Sequence, residues 1–152
     1  MTQTELASRP VGVPAGDGIP EISIVIPVFN EERTVEEVWR RAVAALDALG
    51  RPYEVIVVDD GSSDQTWSIL ERLHRDDPHL RAVRFKRNFG QHPAMHAGLA
   101  RARGDVVVTM DGDLQNSPAD LPRLIAAVEA GSDVASGRRL GREDSWGRTA
   151  PS

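Results

Sequence analysis

Asp105-Val-Val-Val-Thr-Met-Asp-Gly-Asp-Leu-Gln115 is the stretch that decides the fold. Because residues 106–110 are almost wholly apolar, both faces of this segment require apolar neighbours, as in a central strand of a parallel sheet. Asp111 and Asp113 follow directly, and in open α/β sheets ligands bind beyond the carboxyl ends of the strands. Two carboxylates separated by one glycine can share a divalent cation, although Asp and Gly are also ordinary turn residues. The stretch therefore predicts either a cation site at the sheet edge or a solvated turn.

Along the rest of the chain, apolar runs of strand length alternate with segments of helical period. This alternation predicts an α/β fold, with a mainly parallel sheet that carries helices on both faces. The predicted strands are residues 22–28, 53–58, 81–86 and 106–110, with a fifth that starts at 133–136. The predicted helical segments are residues 35–49, 62–73, 95–104 and 118–128.

Two of these helices depend on specific local patterns. Ser62 and Gln65 have the spacing of a capping box, which predicts that the second helix opens there. Met95, Leu99 and Ala102 follow helical spacing and mark the third helix.

The composition excludes several kinds of site. The length of 152 residues fits one domain, and we expect residues 1–20, which include three prolines, to be a flexible leader to a domain at 21–152. With 18 basic and 23 acidic residues, the net charge of −5 gives no overall attraction to nucleic acid or to an anionic membrane. Cysteine is absent, which excludes disulfides and thiolate chemistry. No apolar run approaches bilayer length, so we expect this chain to be soluble. We expect a cytoplasmic location, which for the full-length protein includes the cytoplasmic face of the membrane.

Polar clusters follow four of the predicted strands. They are Asn30-Glu31, Asp59-Asp60-Gly61, Asn88 and residues 111–115. Because the carboxyl ends of parallel strands meet at one edge of a sheet, we expect these clusters to form one site. A carboxylate in such a place, for example Asp60, suits a donor N–H of a nucleobase or a sugar hydroxyl. For residues 59–62 the alternative is a turn followed by a helix cap.

Four motifs at these strand ends carry a family resemblance. They are Ile24-Val-Ile-Pro-Val-Phe-Asn-Glu31, Val57-Val-Asp-Asp-Gly-Ser-Ser-Asp64, Asn88-Phe-Gly-Gln91 and Met110-Asp-Gly-Asp-Leu-Gln115. Together they resemble the family 2 glycosyltransferases, which have the Rossmann-like GT-A fold, and among them most closely the polyprenyl-phosphate glycosyltransferases. The likeness extends from about residue 22 to residue 152, so it covers nearly the whole chain except the leader.

This resemblance implies metal-dependent transfer of a sugar from a nucleotide-sugar donor to a polyprenyl-phosphate lipid acceptor. It implies that Pro27, Phe29 and Glu31 line the nucleotide pocket, that Asp60 contacts the base, and that Asp111 also belongs to the nucleotide site. Members of the family continue into further acceptor-binding elements. We therefore expect the GT-A domain to be incomplete at its C-terminus, and this chain to bind the donor but to transfer sugar poorly.

The resemblance also implies the candidate catalytic residues. Asp111 and Asp113 would hold Mg²⁺ or Mn²⁺ against the donor diphosphate, with Gln115 as a further metal ligand. Arg138 matches the position that approaches the acceptor phosphate in relatives. Gly112 replaces the alanine that is more usual in the family, but it keeps the spacing of the two carboxylates.

Other readings of the acidic stretch remain open. A phosphorylation receiver also has paired acids at a strand end, but it requires a lysine after a late strand. A haloacid-dehalogenase-type phosphatase has its Asp-x-Asp pair on an early strand, normally with a small hydroxyl residue soon after it. A nucleotide-sugar-binding fragment without turnover is the third alternative. His92 and His96 have the i, i+4 spacing of a zinc pair, but no nearby third ligand supports one.

Overall fold

The computed structural model of the chain describes residues 18–112, 114 and 118–137. Its centre is a four-stranded parallel sheet in the order β3-β2-β1-β4, which confirms the predicted α/β architecture. The strands are β1 (Ile22–Val28), β2 (Tyr53–Asp59), β3 (Leu80–Arg84) and β4 (Val106–Thr109). The helices are α1 (Val35–Asp47), α2 (Thr66–Asp76), α3 (Gln91–Leu99) and α4 (Leu121–Glu129), and a 3-10 turn at Pro118–Asp120 precedes α4.

The two inner strands, β1 and β2, are buried along their whole length. Ile24 and Ile26 point into one apolar cluster, which contains the buried residues of α1, α2 and α4. Val25 and Val58 point to the opposite face, where they form a second cluster with Ala94 of α3. Helices therefore cover both faces of the sheet, so these strands carry apolar residues in a continuous run and not in alternation.

Helix α3 lies very close to the sheet because its buried face consists of small residues, Ala94 and Gly98. A Cβ atom on Gly98 would lie only 2.2 Å from Cγ1 of Val25. Leu99, by contrast, is 42% exposed. The apolar spacing that predicted this helix therefore does not identify its buried face.

The predicted start of the second helix is wrong. Helix α2 begins at Thr66, and its N-cap residue, Gln65, makes no capping hydrogen bond through its side chain. Instead, the Ser62 hydroxyl accepts a hydrogen bond from the backbone N–H of Asn30 in the loop after β1. Residues 60–65 thus form a loop whose polar groups bind a neighbouring loop, because tertiary contacts satisfy Ser62 better than the helix would.

The predictions of a fifth strand at 133–136 and of a central position for β4 are also wrong for the described residues. There, residues 133–136 form no strand, and Val134 is 83% exposed. Within the same part of the chain β4 pairs only with β1, so it is an edge strand and Val107 is 41% exposed. The segment 133–136 is apolar enough for a strand, but it has no described neighbour with which to pair.

A buried polar network joins the amino ends of the strands. Glu54 of β2 is fully buried and accepts hydrogen bonds from the Ser23 hydroxyl at 2.8 Å and from Arg81 at 2.8 Å. Arg103 donates to it through both its backbone, at 2.9 Å, and its side chain, at 3.0 Å. Burial alone would raise the pKa of Glu54, but these hydrogen bonds lower it below its ordinary value of 4.5.

None of the helices in the described ranges combines the length and the apolar character needed to cross a bilayer.

Candidate functional site

The loops that follow the strands surround a cleft of about 390 Å³ at the carboxyl edge of the sheet. All four predicted polar clusters contribute to its wall, because the parallel strands deliver their carboxyl ends to the same edge. Of the predicted nucleotide-binding residues, the structure brings all five to this wall. The lining residues are Pro27, Val28, Phe29, Glu31, Asp60, Asn88, Gly90, Gln91, Asp111 and Gly112.

The loop after β1 is held in place by reciprocal hydrogen bonds to the loop after β2. This arrangement keeps Phe29, which is 44% exposed, and Glu31 at the cleft. Backbone N–H groups of the first loop donate to hydroxyl and carboxylate oxygens of the second, as in Asn30 N to Ser62 Oγ (2.9 Å), Glu31 N to Thr66 Oγ1 (2.9 Å) and Glu32 N to Asp64 Oδ2 (3.1 Å). In the reverse direction, Ser63 N donates to Asn30 Oδ1 at 2.9 Å.

Asp64 and Thr66 are central to these contacts, and sequence reasoning assigned them no role in the site. The Thr66 N–H and hydroxyl both donate to Asp64 Oδ1, at 2.9 and 2.5 Å. Although burial raises the pKa of Asp64, these hydrogen bonds lower it overall, so the carboxylate form is favoured. The only signal in the sequence was their position, since Asp64 is the last residue of the second quoted motif and Thr66 lies two residues beyond it.

Asp60 is nearly buried on the cleft wall, with 3% of its surface exposed. Its Oδ1 accepts a hydrogen bond from Phe89 N and its Oδ2 accepts one from Gly90 N, both at 2.8 Å. Asp60 therefore fixes the loop after β3 against the loop after β2. Each carboxylate oxygen can accept more than one hydrogen bond, so the predicted contact to a base stays a prediction beside this structural role.

Asp59, the neighbouring carboxylate, belongs to the scaffold of the loop. It is fully buried, its Oδ1 accepts the Ser62 N–H at 2.9 Å, and Arg84 Nε lies 3.5 Å from Oδ2. Burial raises the pKa of Asp59, and the contacts with Ser62 and Arg84 only partly offset this effect. The following residue, Gly61, has φ +72°, and a Cβ there would lie 2.4 Å from the carbonyl carbon of Arg87. The alternative interpretation of this segment, a structural turn, is therefore correct for Asp59 and Gly61.

The acidic stretch after β4 also lines the cleft, through Asp111 and Gly112. Asp111 Oδ1 accepts a hydrogen bond from Gln91 Nε2 at 3.0 Å. A Cβ on Gly112 would lie 2.8 Å from Val28 Cγ1, so glycine lets this loop pack against β1. The remaining predicted catalytic residues, Asp113, Gln115 and Arg138, lie outside the described residues.

No group of three or more potential His, Cys, Asp or Glu ligands occurs in the part of the chain that the structure describes. His92 and His96, the doubtful zinc pair, are both exposed on α3. The donors that the described cleft does offer are oxygens. Carboxylate and carbonyl oxygens are the ligands that Mg²⁺ and Mn²⁺ prefer, so the chemistry of the wall fits such a cation.

The electrostatics of the cleft are one-sided. Its described wall contains three carboxylates, Glu31, Asp60 and Asp111, and no lysine, arginine or histidine. A diphosphate bound there without a counter-ion would meet like charge at short range. A divalent cation between the wall and the diphosphate would reverse this repulsion, so the cleft suits a cation and a phosphorylated ligand together.

Comparison with known sequences finds sugar transferases among the relatives of this chain. The model of the family "Glycosyl transferase family 2" matches residues 23–152. The chain is 44% identical over 133 residues to the undecaprenyl-phosphate 4-deoxy-4-formamido-L-arabinose transferase of Enterobacter sp. (strain 638). The aligned residues make up 87% of this chain and 41% of that relative. It is 46% identical over 128 residues to the protein of the same name from Edwardsiella ictaluri (strain 93-146). That alignment covers 84% of this chain and 39% of the relative. The chain thus spans about two fifths of these relatives.

Solved structures show the same fold. TarS 1-349 of S. aureus superposes with a TM-score of 0.59 at 28% identity, covering 72% of this chain and 32% of that one. The mannosyltransferase PcManGT from Pyrobaculum calidifontis, in complex with GDP-Man and Mn²⁺, has a TM-score of 0.59 at 27% identity, covering 78% and 35%. Glucosyl-3-phosphoglycerate synthase from Mycobacterium tuberculosis, in complex with Mn²⁺, UDP and phosphoglyceric acid, has a TM-score of 0.55 at 30% identity, covering 72% and 39%. These likenesses confirm the predicted GT-A fold class.

Proposed function

Because the chain belongs to glycosyl transferase family 2, we propose that it forms the donor-binding part of a metal-dependent glycosyltransferase. The donor is a nucleotide sugar and the acceptor is a polyprenyl phosphate. Two relatives that are 44% and 46% identical are named as undecaprenyl-phosphate sugar transferases, and structures with the same fold contain GDP-Man or UDP together with Mn²⁺. These names support the proposal for this chain.

The observation that carries this proposal is the acidic cleft with no described basic residue. A cleft for an anionic ligand normally presents positive charge. Here the described wall presents three carboxylates, so a nucleotide diphosphate binds only weakly unless a cation comes with it. Cation and nucleotide are therefore expected to bind cooperatively.

We assign the nucleoside end of the donor to the loop after β1 and the diphosphate end to the loop after β4. Pro27, Phe29 and Glu31 would line the nucleoside pocket, and Asp60 would contact the nucleobase. Phe29 gives this pocket an accessible aromatic ring, a surface on which a base can stack. Asp111 also lines the cleft, where it would belong to both the nucleotide site and the metal site.

Asp111, Asp113 and Gln115 would hold the Mg²⁺ or Mn²⁺, and Arg138 would approach the acceptor phosphate. When bound, the cation acts as a Lewis acid that offsets the charge that develops on the leaving diphosphate. In the transfer, the acceptor phosphate oxygen bonds to the anomeric carbon while the bond from that carbon to the diphosphate oxygen breaks. A phosphate acceptor is already an anion near neutral pH, so this chemistry requires no general base.

The test is a calorimetric titration of UDP, GDP and their sugar conjugates with and without Mn²⁺. We expect binding that depends on Mn²⁺, and loss of that dependence in Asp111→Asn, because an amide is a weaker, neutral ligand. Asp105→Asn is a matched control, since Asp105 is exposed at the other end of the same strand. Nucleotide binding that is equally strong without metal would contradict the proposal. Phosphate release from small phosphate esters would favour the phosphatase reading.

A further inference from the structure

Gln91, the first residue of α3, donates a hydrogen bond to the candidate metal ligand Asp111, and both residues line the cleft. We propose that Gln91 is a positioning residue for the cation site. Its side-chain amide fixes the orientation of the Asp111 carboxylate, and Asp60 in turn fixes the loop that carries Gln91. This inference rests on the proposed function and assigns a role that no motif spacing indicated.

The first step is the contact itself. Gln91 Nε2 donates a hydrogen bond to Asp111 Oδ1 at 3.0 Å, and both residues line the cleft. The donor is neutral and the acceptor is a carboxylate, so the bond is charge-assisted and stronger than one between neutral groups. It restricts the rotation of the Asp111 side chain while leaving the negative charge of the carboxylate in place.

The second step is the support of Gln91. The N–H groups of Phe89 and Gly90, the two residues that precede it, both donate to the Asp60 carboxylate at 2.8 Å. Gly90 has φ +102°, a left-handed conformation that glycine adopts without strain, and the helix starts at the next residue. The backbone of Gln91 is therefore fixed on one side by a buried carboxylate and on the other by the first turn of α3.

The third step concerns the choice of amide. A lysine or arginine at this position would form an ion pair with Asp111 and compete with a metal cation for it. A second carboxylate would repel it. Glutamine can orient the carboxylate without either effect, which is the usual property of groups that hydrogen-bond to metal ligands. Asp60, Gln91 and Asp111 thus connect the nucleoside end of the cleft to its metal end.

The experiment replaces Gln91 with methionine, which has a similar length and no hydrogen-bond donor. Mn²⁺ binding is measured directly by electron paramagnetic resonance, and UDP binding is measured by calorimetry with and without Mn²⁺. We expect the Mn²⁺ affinity of Gln91→Met to fall by about tenfold to a hundredfold, the usual effect of removing such a supporting group. The metal-free affinity for UDP should not change, because Gln91 acts through Asp111.

Gln65→Met is the matched control, since Gln65 also lies at the start of a helix but is exposed and does not line the cleft. Its Mn²⁺ affinity should equal that of the wild type. Wild-type Mn²⁺ affinity in Gln91→Met, or an equal loss of UDP binding with and without metal, would overturn the positioning role and leave the proposed function intact. A wild-type chain that binds neither Mn²⁺ nor UDP would overturn both.

Discussion

At the scale of single residues, Asp60 shows how one side chain can serve both the scaffold and the site. Its two oxygens accept backbone hydrogen bonds from Phe89 and Gly90, while the residue itself lines the cleft. Loss of Asp60 would therefore affect the loop after β3 as well as any contact with a base. A carboxamide at this position separates the two effects better than alanine, because it preserves the shape of the side chain.

We predict that Asp60→Asn lowers the free energy of unfolding by about 1–3 kcal/mol, because the NH₂ group of asparagine would face a partly buried backbone N–H and leave that donor unsatisfied. Chemical denaturation monitored by circular dichroism measures this change. Asp105→Asn, at an exposed site, should leave the stability nearly unchanged. Equal stability of Asp60→Asn and the wild type would show that the loop after β3 does not depend on Asp60.

The sequence could predict which residues reach the cleft, but not which partners hold them there. Phe29, Glu31, Asp60 and Asp111 each follow a strand, so the topology alone brings them to one edge. The contact between Asp60 and Phe89 joins residues 29 positions apart, and no local spacing encodes it. Such contacts depend on how two loops fold over each other, which only the tertiary structure specifies.

At the scale of secondary-structure elements, the network around Glu54 joins β1, β2 and β3 at their amino ends. Ser23 and Arg81 donate to Glu54 from the flanking strands, and Arg103 donates from the turn before β4. A buried carboxylate with several donors is stable only while every partner is in place. Removing the charge would leave Arg81 and Arg103 without a counter-ion.

The pH dependence of stability follows from this network. The pKa of Glu54 is lower in the folded protein than its ordinary value of 4.5. Its contribution to stability is therefore fully present above pH 4.5, and it is lost as the pH falls through the folded-state pKa. We predict that Glu54→Gln is about 3 kcal/mol less stable than the wild type at pH 7. This difference should shrink as the pH falls below 4.5.

Urea denaturation of both proteins between pH 7 and pH 3 measures this difference. Glu36→Gln serves as a control for the loss of one carboxylate, because Glu36 forms an exposed ion pair with Arg72. Surface pairs of this kind contribute little to stability. A stability difference between Glu54→Gln and the wild type that stays constant over this range would contradict the role of the Glu54 charge.

Secondary-structure elements could be predicted where the spacing of apolar residues and the length of the segment indicated the same element. They could not be predicted where a contact with another segment of the chain decided the structure. The apolar runs of β1 and β2 could only be buried strands, because both faces require cover. The fifth strand failed at Val134 because a strand requires a neighbour, which the period of the sequence does not specify. The capping box at Ser62 failed because the hydroxyl binds Asn30 in another loop. In the first case no described segment pairs with the predicted strand, and in the second a contact with another loop overrode the local signal.

At the scale of the whole molecule, the charge of the cleft adds to the net charge of −5. A nucleotide diphosphate approaching without metal is repelled both by the molecule and by the described cleft wall. This repulsion is long-range, so dissolved salt should screen it. The sign of the salt effect therefore reports which charge the ligand meets.

We predict that the affinity for UDP without metal rises when the ionic strength increases from about 10 mM to about 150 mM, because the Debye length shortens from roughly 30 Å to roughly 8 Å. With Mn²⁺ present, the affinity should stay level or fall, since the interaction is then attractive. Titrations followed by NMR suit the weak metal-free binding. A metal-free affinity that decreases with salt would indicate that basic residues dominate the cleft.

The Glu54 network and the cleft stand at opposite ends of the same strands. On β1, Ser23 of the network and Pro27 of the cleft wall are four positions apart, which corresponds to roughly 13 Å of extended chain. Substitutions at the amino edge can therefore alter the robustness of the fold without passing through residues that a ligand touches. In evolution and in the laboratory, such a separation permits destabilising changes of specificity at one edge to be compensated at the other, so the sheet provides a reserve for adaptation that is independent of the chemistry.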